Sequence, residues 1–244
     1  LGLFFAPVLG MSTESMTASA TAVIYTATKV TSFNTSLGLN GGLLAPLLSG
    51  ATVVVLERFT PEAVFAAVKK YRVTVLPAVA TIFRRLLNSP AFSESDFSSL
   101  RLAVSGAAPC PWELATEWRE KTATRIVRGY GMTELFRPLS FRADDPSDVP
   151  DAVGKAVPGV EIRLALDETA SRDKIGELWI KSPAMMDCYL DAPEETREVI
   201  SNGWFKTGDL ATISSQGYVQ IVGRVRERIL RGGYSIFPQE VEAV

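Results

Sequence analysis

Residues 51–78 read ATVVVLERFTPEAVFAAVKKYRVTVLPA, a β-branched run, a helical stretch and a second β-branched run in close succession. Ala51 to Leu56 is predicted as a strand and Pro61 to Tyr71 as a helix, with Thr60 as its N-cap and Pro61 at its first position, where a missing N–H costs nothing. Val73 to Leu76 is predicted as the next strand. The alternation continues with a helix over Val79 to Asn88, whose Ile82 and Leu86 belong to the buried stripe, a strand over Leu102 to Val104 and a helix over Pro111 to Lys121. Arg125 to Arg128 then leads into Gly129 and Gly131, glycines that let a chain turn sharply at a strand end. Short β-branched runs separated by amphipathic helices are the pattern of a parallel sheet wrapped by helices.

Beyond Arg142 the texture changes. ADDPSDVPDAVG is a polar, proline-rich connection, and after it come short alternating runs at Val160 to Leu164, Glu177 to Ile180, Asp209 to Ile213 and Tyr218 to Val222. These predict an antiparallel β subdomain appended to the α/β one. Upstream, Thr21 to Tyr25 (TAVIY) has the composition of a buried strand. Val30 to Leu56 carries no charge and is long enough to cross a bilayer. Its asparagines, Pro46 and glycines break it into sheet and turn pieces, so no membrane span is expected. The apolar opening has no basic residue before it and makes a poor secretory signal, which leaves the cytoplasm as the expected location.

Composition narrows the chemistry. With 47% hydrophobic and 21% charged residues the chain has the balance of a globular protein. A net charge of −2 without a long Lys/Arg run argues against nucleic acid and for a small-molecule partner. There is no histidine, which removes Ser-His-Asp and Cys-His nucleophiles and His-based metal sites. Cys110 and Cys188 have no second thiol at metal or redox spacing, so both are expected to be buried small residues. Catalysis in such a chain runs on fixed charges and positioning.

Two segments carry chemistry. In Arg128 to Glu134 (RGYGMTE), Tyr130 offers an aromatic face to a purine, Thr133 a hydroxyl to a phosphate and Glu134 a hard oxygen to Mg²⁺. Ser201 to Leu210 (SNGWFKTGDL), followed by Gly217 to Arg224 (GYVQIVGR), adds Asp209 and Arg224 later in the chain. Together with SGAAP (105–109), GELWI (176–180) and GRVRERI (223–229), these segments resemble the large domain of AMP-forming acyl-CoA synthetases, one of the adenylate-forming ligase families. The resemblance runs from about Leu37 to Val244, with the motifs in family order. It implies a two-step reaction with ATP/AMP, Mg²⁺ and coenzyme A: a carboxylate attacks the α-phosphate of ATP, and a thiol then displaces AMP from the acyl-adenylate. By the same resemblance Gly106, Ala107, Ala108, Gly129, Tyr130, Gly131 and Met132 line the adenylate site. Thr133 and Glu134 act on the phosphate and metal, Asp209 takes the ribose hydroxyls, Arg224 matches a ribose contact, Arg226 matches a hinge, and GELWI is structural. Leu135 and the small residues at 106–108 suggest an apolar carboxylate.

Departures from the family are equally specific. No glycine lies between Gly10 and Gly38, where the family has a phosphate-cradling loop, and Lys29 is the basic residue left in that stretch. Asn34 stands near where the family often carries a histidine, and the family's lysine-bearing small domain would follow Val244. The expected organisation is an α/β subdomain over 1–142 with an incomplete N-terminal part, an antiparallel β subdomain over 143–223, and a hinge with the start of a further domain over 224–244. An incomplete, weakly active ligase is expected. A non-catalytic adenylate-binding module and the amino-acid-activating domain of a peptide synthetase stay open beside it.

Overall fold

The structure is a computed structural model that describes residues 21–25, 42–106, 108–142, 144–146, 149–166, 175–227, 229–231 and 234–236. Lys29, Asn34 and the glycine-free stretch after Tyr25 lie outside the described residues, as does Ala107. The chain divides into two compact units: residues up to Thr133 with Ser140–Pro150, and Glu134–Leu139 with the residues from Asp151 onward. It is an α/β protein whose described residues form a parallel sheet, a larger antiparallel sheet and a separate two-stranded hairpin.

The first unit holds a five-stranded sheet in the order β2-β1-β3-β4-β5, with β1 at Thr21–Tyr25, β2 at Thr52–Leu56, β3 at Val75–Ala78, β4 at Leu102–Ser105 and β5 at Ile126–Val127. All neighbours in it run parallel. A short helix, α1 (Ala45–Leu48), comes just before β2. Helix α2 (Pro61–Tyr71) starts as its sequence predicts: Thr60 is extended and its hydroxyl accepts the Ala63 N–H at 3.1 Å. Its inner face buries Val64, Phe65, Ala67 and Val68. The strand expected from Val73 begins at Val75 instead. Val73 is spent on ending α2, where Arg72 turns left-handed and the Val73 N–H reaches back to the Val68 carbonyl.

Helices α3 (Ala80–Leu87) and α4 (Trp112–Thr122) complete the core. In α3 the deepest side chains are Phe83 and Leu86, while Ile82, expected in the buried stripe, packs from its edge. In α4 Trp118 is fully buried, with its ring 4.9 Å from Phe83 and 5.2 Å from Phe97 in edge-on geometry. Glu117 sits on the outer face between Arg84 at 2.6 Å and Lys121 at 2.7 Å. β6 (Gly129–Met132) follows β5 directly.

The second unit contains β7 (Phe136–Ser140), β8 (Ala152–Ala156), β9 (Glu161–Leu166), β10 (Gly176–Lys181), β11 (Ile200–Ser201), β12 (Trp204–Ile213) and β13 (Val219–Arg224). Their order is β7-β8-β13-β12-β10-β9, with β11 folded onto β12. The pairs from β8 to β9 are antiparallel. β12 is longer than its predicted core at 209–213, because Asn202 and Gly203 both take positive φ and close a two-residue hairpin that pairs Ser201 with Trp204. A short helix, α5 (Pro193–Val199), stands where the sequence shows no helical stripe. A hairpin of β14 (Ile229–Arg231) and β15 (Tyr234–Ile236) ends the described chain. Among the described residues no helix is long and apolar enough to cross a membrane.

Candidate functional site

The first unit supplies its candidate residues at the carboxyl ends of two adjacent parallel strands. β4 and β5 pair with Ala103 opposite Ile126 and Val104 opposite Val127, which brings Ser105–Gly106 and Arg128–Gly129 to neighbouring strand ends. Ligands in open parallel sheets characteristically bind there. Gly106 is buried and Ala108 exposed. Gly129, Tyr130, Gly131 and Met132 are half-buried along β6, and Thr133 is exposed in the turn that follows. The turn expected of the two glycines is not there: Gly129 and Gly131 are part of an extended strand, and neither has positive φ. What they contribute is the lack of a side chain, which keeps the strand surface low beside Tyr130.

Arg128 points away from this role. It is buried, its guanidinium lies 5.1 Å from the Trp112 ring and 4.9 Å from that of Phe141, and it donates to the Val149 carbonyl at 2.8 Å. Arg125 donates to the Asp145 and Pro146 carbonyls in the same way. The two arginines clip the segment after Phe141 to the unit. Cys110 lies close by, and burial pushes its thiol up, against the pull of a Ser105 hydrogen bond and the Arg128 charge. Cys188, expected to be buried, is exposed, in a segment between β10 and α5 in which Pro183, Ala184, Asp187 and Leu190 are exposed as well.

In the second unit Glu134 is held from two sides. Its carbonyl accepts the Met186 N–H at 2.8 Å, and its carboxylate Oε1 accepts the Tyr189 hydroxyl at 2.9 Å. Tyr189 is itself anchored, since its N–H donates to the Thr196 hydroxyl of α5 at 3.0 Å and that hydroxyl donates to the Ala192 carbonyl at 2.8 Å. Burial, and then the Glu134 carboxylate, push the Tyr189 phenol up to about 12, so it remains a donor through the neutral range. Nothing in the sequence singles out Tyr189. Leu135, read as a pocket residue, is 1% exposed and belongs to the interior. Phe136 follows it at φ 61°, a costly conformation for an aromatic residue beside the motif.

Glu134 fits Mg²⁺ by the chemistry of its donors. Among the described residues no three His, Cys, Asp or Glu side chains gather as a metal cage. A single carboxylate oxygen, with the remaining positions filled by phosphate oxygens and water, is the usual environment of Mg²⁺ at a nucleotide.

Asp209 and Arg224 form a cross-strand pair between β12 and β13. Arg224 Nε lies 3.1 Å from Asp209 Oδ1, the aspartate side chain being 8% exposed and the arginine 65%. The aspartate is fixed from the neighbouring strand as well. Glu177, at an irregularity in β10, accepts the Gly208 N–H at 3.1 Å and the Trp179 indole N–H at 2.8 Å. Thr207 donates to the Leu178 carbonyl and accepts the Asp209 N–H. GELWI therefore sets the position of TGD, a contribution that only the strand pairing reveals. Arg226 is exposed in the single turn Val225–Glu227.

Comparison with known proteins adds a consistent picture. The family model described as AMP-binding enzyme matches residues 11–190. A 3-[(3aS,4S,7aS)-7a-methyl-1,5-dioxo-octahydro-1H-inden-4-yl]propanoyl:CoA ligase of Rhodococcus jostii (strain RHA1) is 37% identical over 210 residues, 85% of this chain and 39% of that protein. A feruloyl-CoA synthase of an Amycolatopsis species is 37% identical over 82% of this chain and 41% of its own length. Among solved structures, the O-succinylbenzoate coenzyme A synthetase of Bacillus subtilis in complex with ATP and magnesium superposes with a TM-score of 0.83 at 27% identity, over 99% of this chain and 48% of that one. ATP-bound MatB of Rhodopseudomonas palustris gives 0.82 at 30% identity, over 99% and 46%. The chain thus spans about two fifths of the length of these curated relatives and under half of the solved structures.

Proposed function

Because this chain belongs to the AMP-binding enzyme family, we propose that it carries the adenylate-handling part of an AMP-forming acid–thiol ligase, which activates a carboxylate as its acyl-adenylate and passes the acyl group to coenzyme A. Asp209 is the observation that carries this reading: a largely buried carboxylate, oriented by Arg224 and by its own strand, presents an acceptor of the kind that two ribose hydroxyls need. In the proposal Tyr130 stacks on adenine, with Gly106, Ala107, Ala108, Gly129, Gly131 and Met132 keeping the approach open. Thr133 donates to the α-phosphate, Glu134 holds Mg²⁺, Arg224 keeps Asp209 in place and Arg226 is a hinge. Bound Mg²⁺ supplies charge neutralisation at the phosphates.

The lack of histidine agrees with this chemistry. A carboxylate substrate is ionised at neutral pH and attacks without a general base, so the residues have only to align it and stabilise phosphoryl charge. The relatives' names range from an octahydroindenyl propanoyl group to a feruloyl group, and an apolar carboxylate is proposed here. Cytoplasmic action follows from nucleotide and coenzyme A as partners.

Calorimetric titration with AMP tests the reading. Asp209→Asn is expected to weaken AMP binding at least about tenfold, since a hydrogen bond to a charged group is lost, and equal affinity in the two proteins would remove Asp209 from the site. The second reading, adenylate binding without turnover, is favoured by the glycine-free residues 11–37. Pyrophosphate release with aromatic and fatty carboxylates separates the two.

A further inference from the structure

We propose that Tyr189 is a positioning residue for Glu134, fixing one oxygen of its carboxylate so that the other is presented singly to the divalent cation. The inference rests on the reading of Glu134 as the Mg²⁺ ligand. Its own support is the chain of contacts in the second unit: Thr196 on α5 anchors the Tyr189 backbone, the Tyr189 hydroxyl donates to Glu134 Oε1 at 2.9 Å, and the Met186 N–H holds the Glu134 carbonyl. A carboxylate gripped at both its main chain and one oxygen has lost most of its rotamer freedom before any ligand arrives. The entropic cost of ordering it on binding is then already met, which is what partners of metal-ligating groups provide. With Oε1 committed to a phenol, Glu134 is a one-oxygen ligand. That suits a small octahedral cation whose other positions are taken by water and phosphate, and it disfavours a two-oxygen grip of the kind Ca²⁺ accepts.

The bland account is that Tyr189 simply ties the loop 182–192 to the sheet. The two accounts differ in what Tyr189→Phe does. This change keeps the ring of a half-buried side chain and removes the hydroxyl alone, so the fold tolerates it. Mn²⁺ binding to the full chain in excess AMP, read from the free-ion electron paramagnetic resonance signal, is the measurement. Tyr189→Phe is expected to weaken Mn²⁺ binding about tenfold and to have no effect in a Glu134→Ala background. It should also narrow the preference for Mg²⁺ over Ca²⁺ as competitors of Mn²⁺. Equal Mn²⁺ binding with and without the hydroxyl overturns the inference alone, as does a loss that persists in the Glu134→Ala background. No AMP-dependent Mn²⁺ binding in the unsubstituted chain overturns the Glu134 reading and this inference together.

Discussion

Cys110 carries a thiol that burial raises, with Ser105 and Arg128 opposing the shift in part, while Cys188 stands in solvent. Only the thiolate attacks, so the exposure of Cys188 and the raised thiol of Cys110 both direct labelling to Cys188. Brief treatment with iodoacetamide at mild alkaline pH should label Cys188 and leave Cys110 largely unmodified, a difference of at least about tenfold in rate on exposure and thiolate fraction together. Peptide mass spectrometry of the quenched protein checks it; equal labelling would mean that the half-buried Cys110 is as accessible as Cys188. Asp209 illustrates the opposite limit at the same scale. Its chemistry is visible in the sequence as part of TGD, yet its orientation depends on Glu177 and Arg224, which act from other strands.

Element ends account for most of the differences between expectation and structure. Thr60 announces α2 because its capping bond is local, three residues away. The start of β3 moved because the exit from α2 consumed Val73, a tertiary outcome of how that helix ends. α5 left no trace because it buries none of its residues and so has no apolar stripe to show. The Asn202–Gly203 turn, in contrast, carries its hairpin signal locally, in an Asn-Gly pair that takes positive φ at both residues. At the end of α4, Ala123 sits exposed at φ 57°, where a Cβ crowds the backbone. Ala123→Gly is expected to stabilise the protein by about 1 kcal/mol, read as a higher urea midpoint at unchanged slope. A lower midpoint would show that the cap is not strained.

Across the whole molecule, motif residues were legible and their partners were not. RGYGMTE and TGD are short enough to read as words, and they led to the family. Tyr189 meets Glu134 from 55 residues away, a proximity that no local pattern encodes. The core of the first unit follows the same rule: Phe83, Phe97 and Trp118 are apolar on sight, but their edge-on packing around Trp118 is a property of the assembled helices. Trp118→Ala should cost about 3–5 kcal/mol in denaturant unfolding. Trp118→Phe should cost about 1 kcal/mol or less, because the buried indole N–H has no partner to lose among the described residues. A costly Phe variant would point to an ordered water on that nitrogen.

The exposed thiol of Cys188 lies next in sequence to the residue whose hydroxyl grips Glu134. An environment-sensitive dye attached there would sit one peptide bond from Tyr189, with the half-buried Cys110 the slower of the two thiols to react. The native sequence therefore already contains a single addressable position for an optical reporter, and cation or nucleotide arrival at Glu134 could be followed as a change in emission without adding or removing any cysteine.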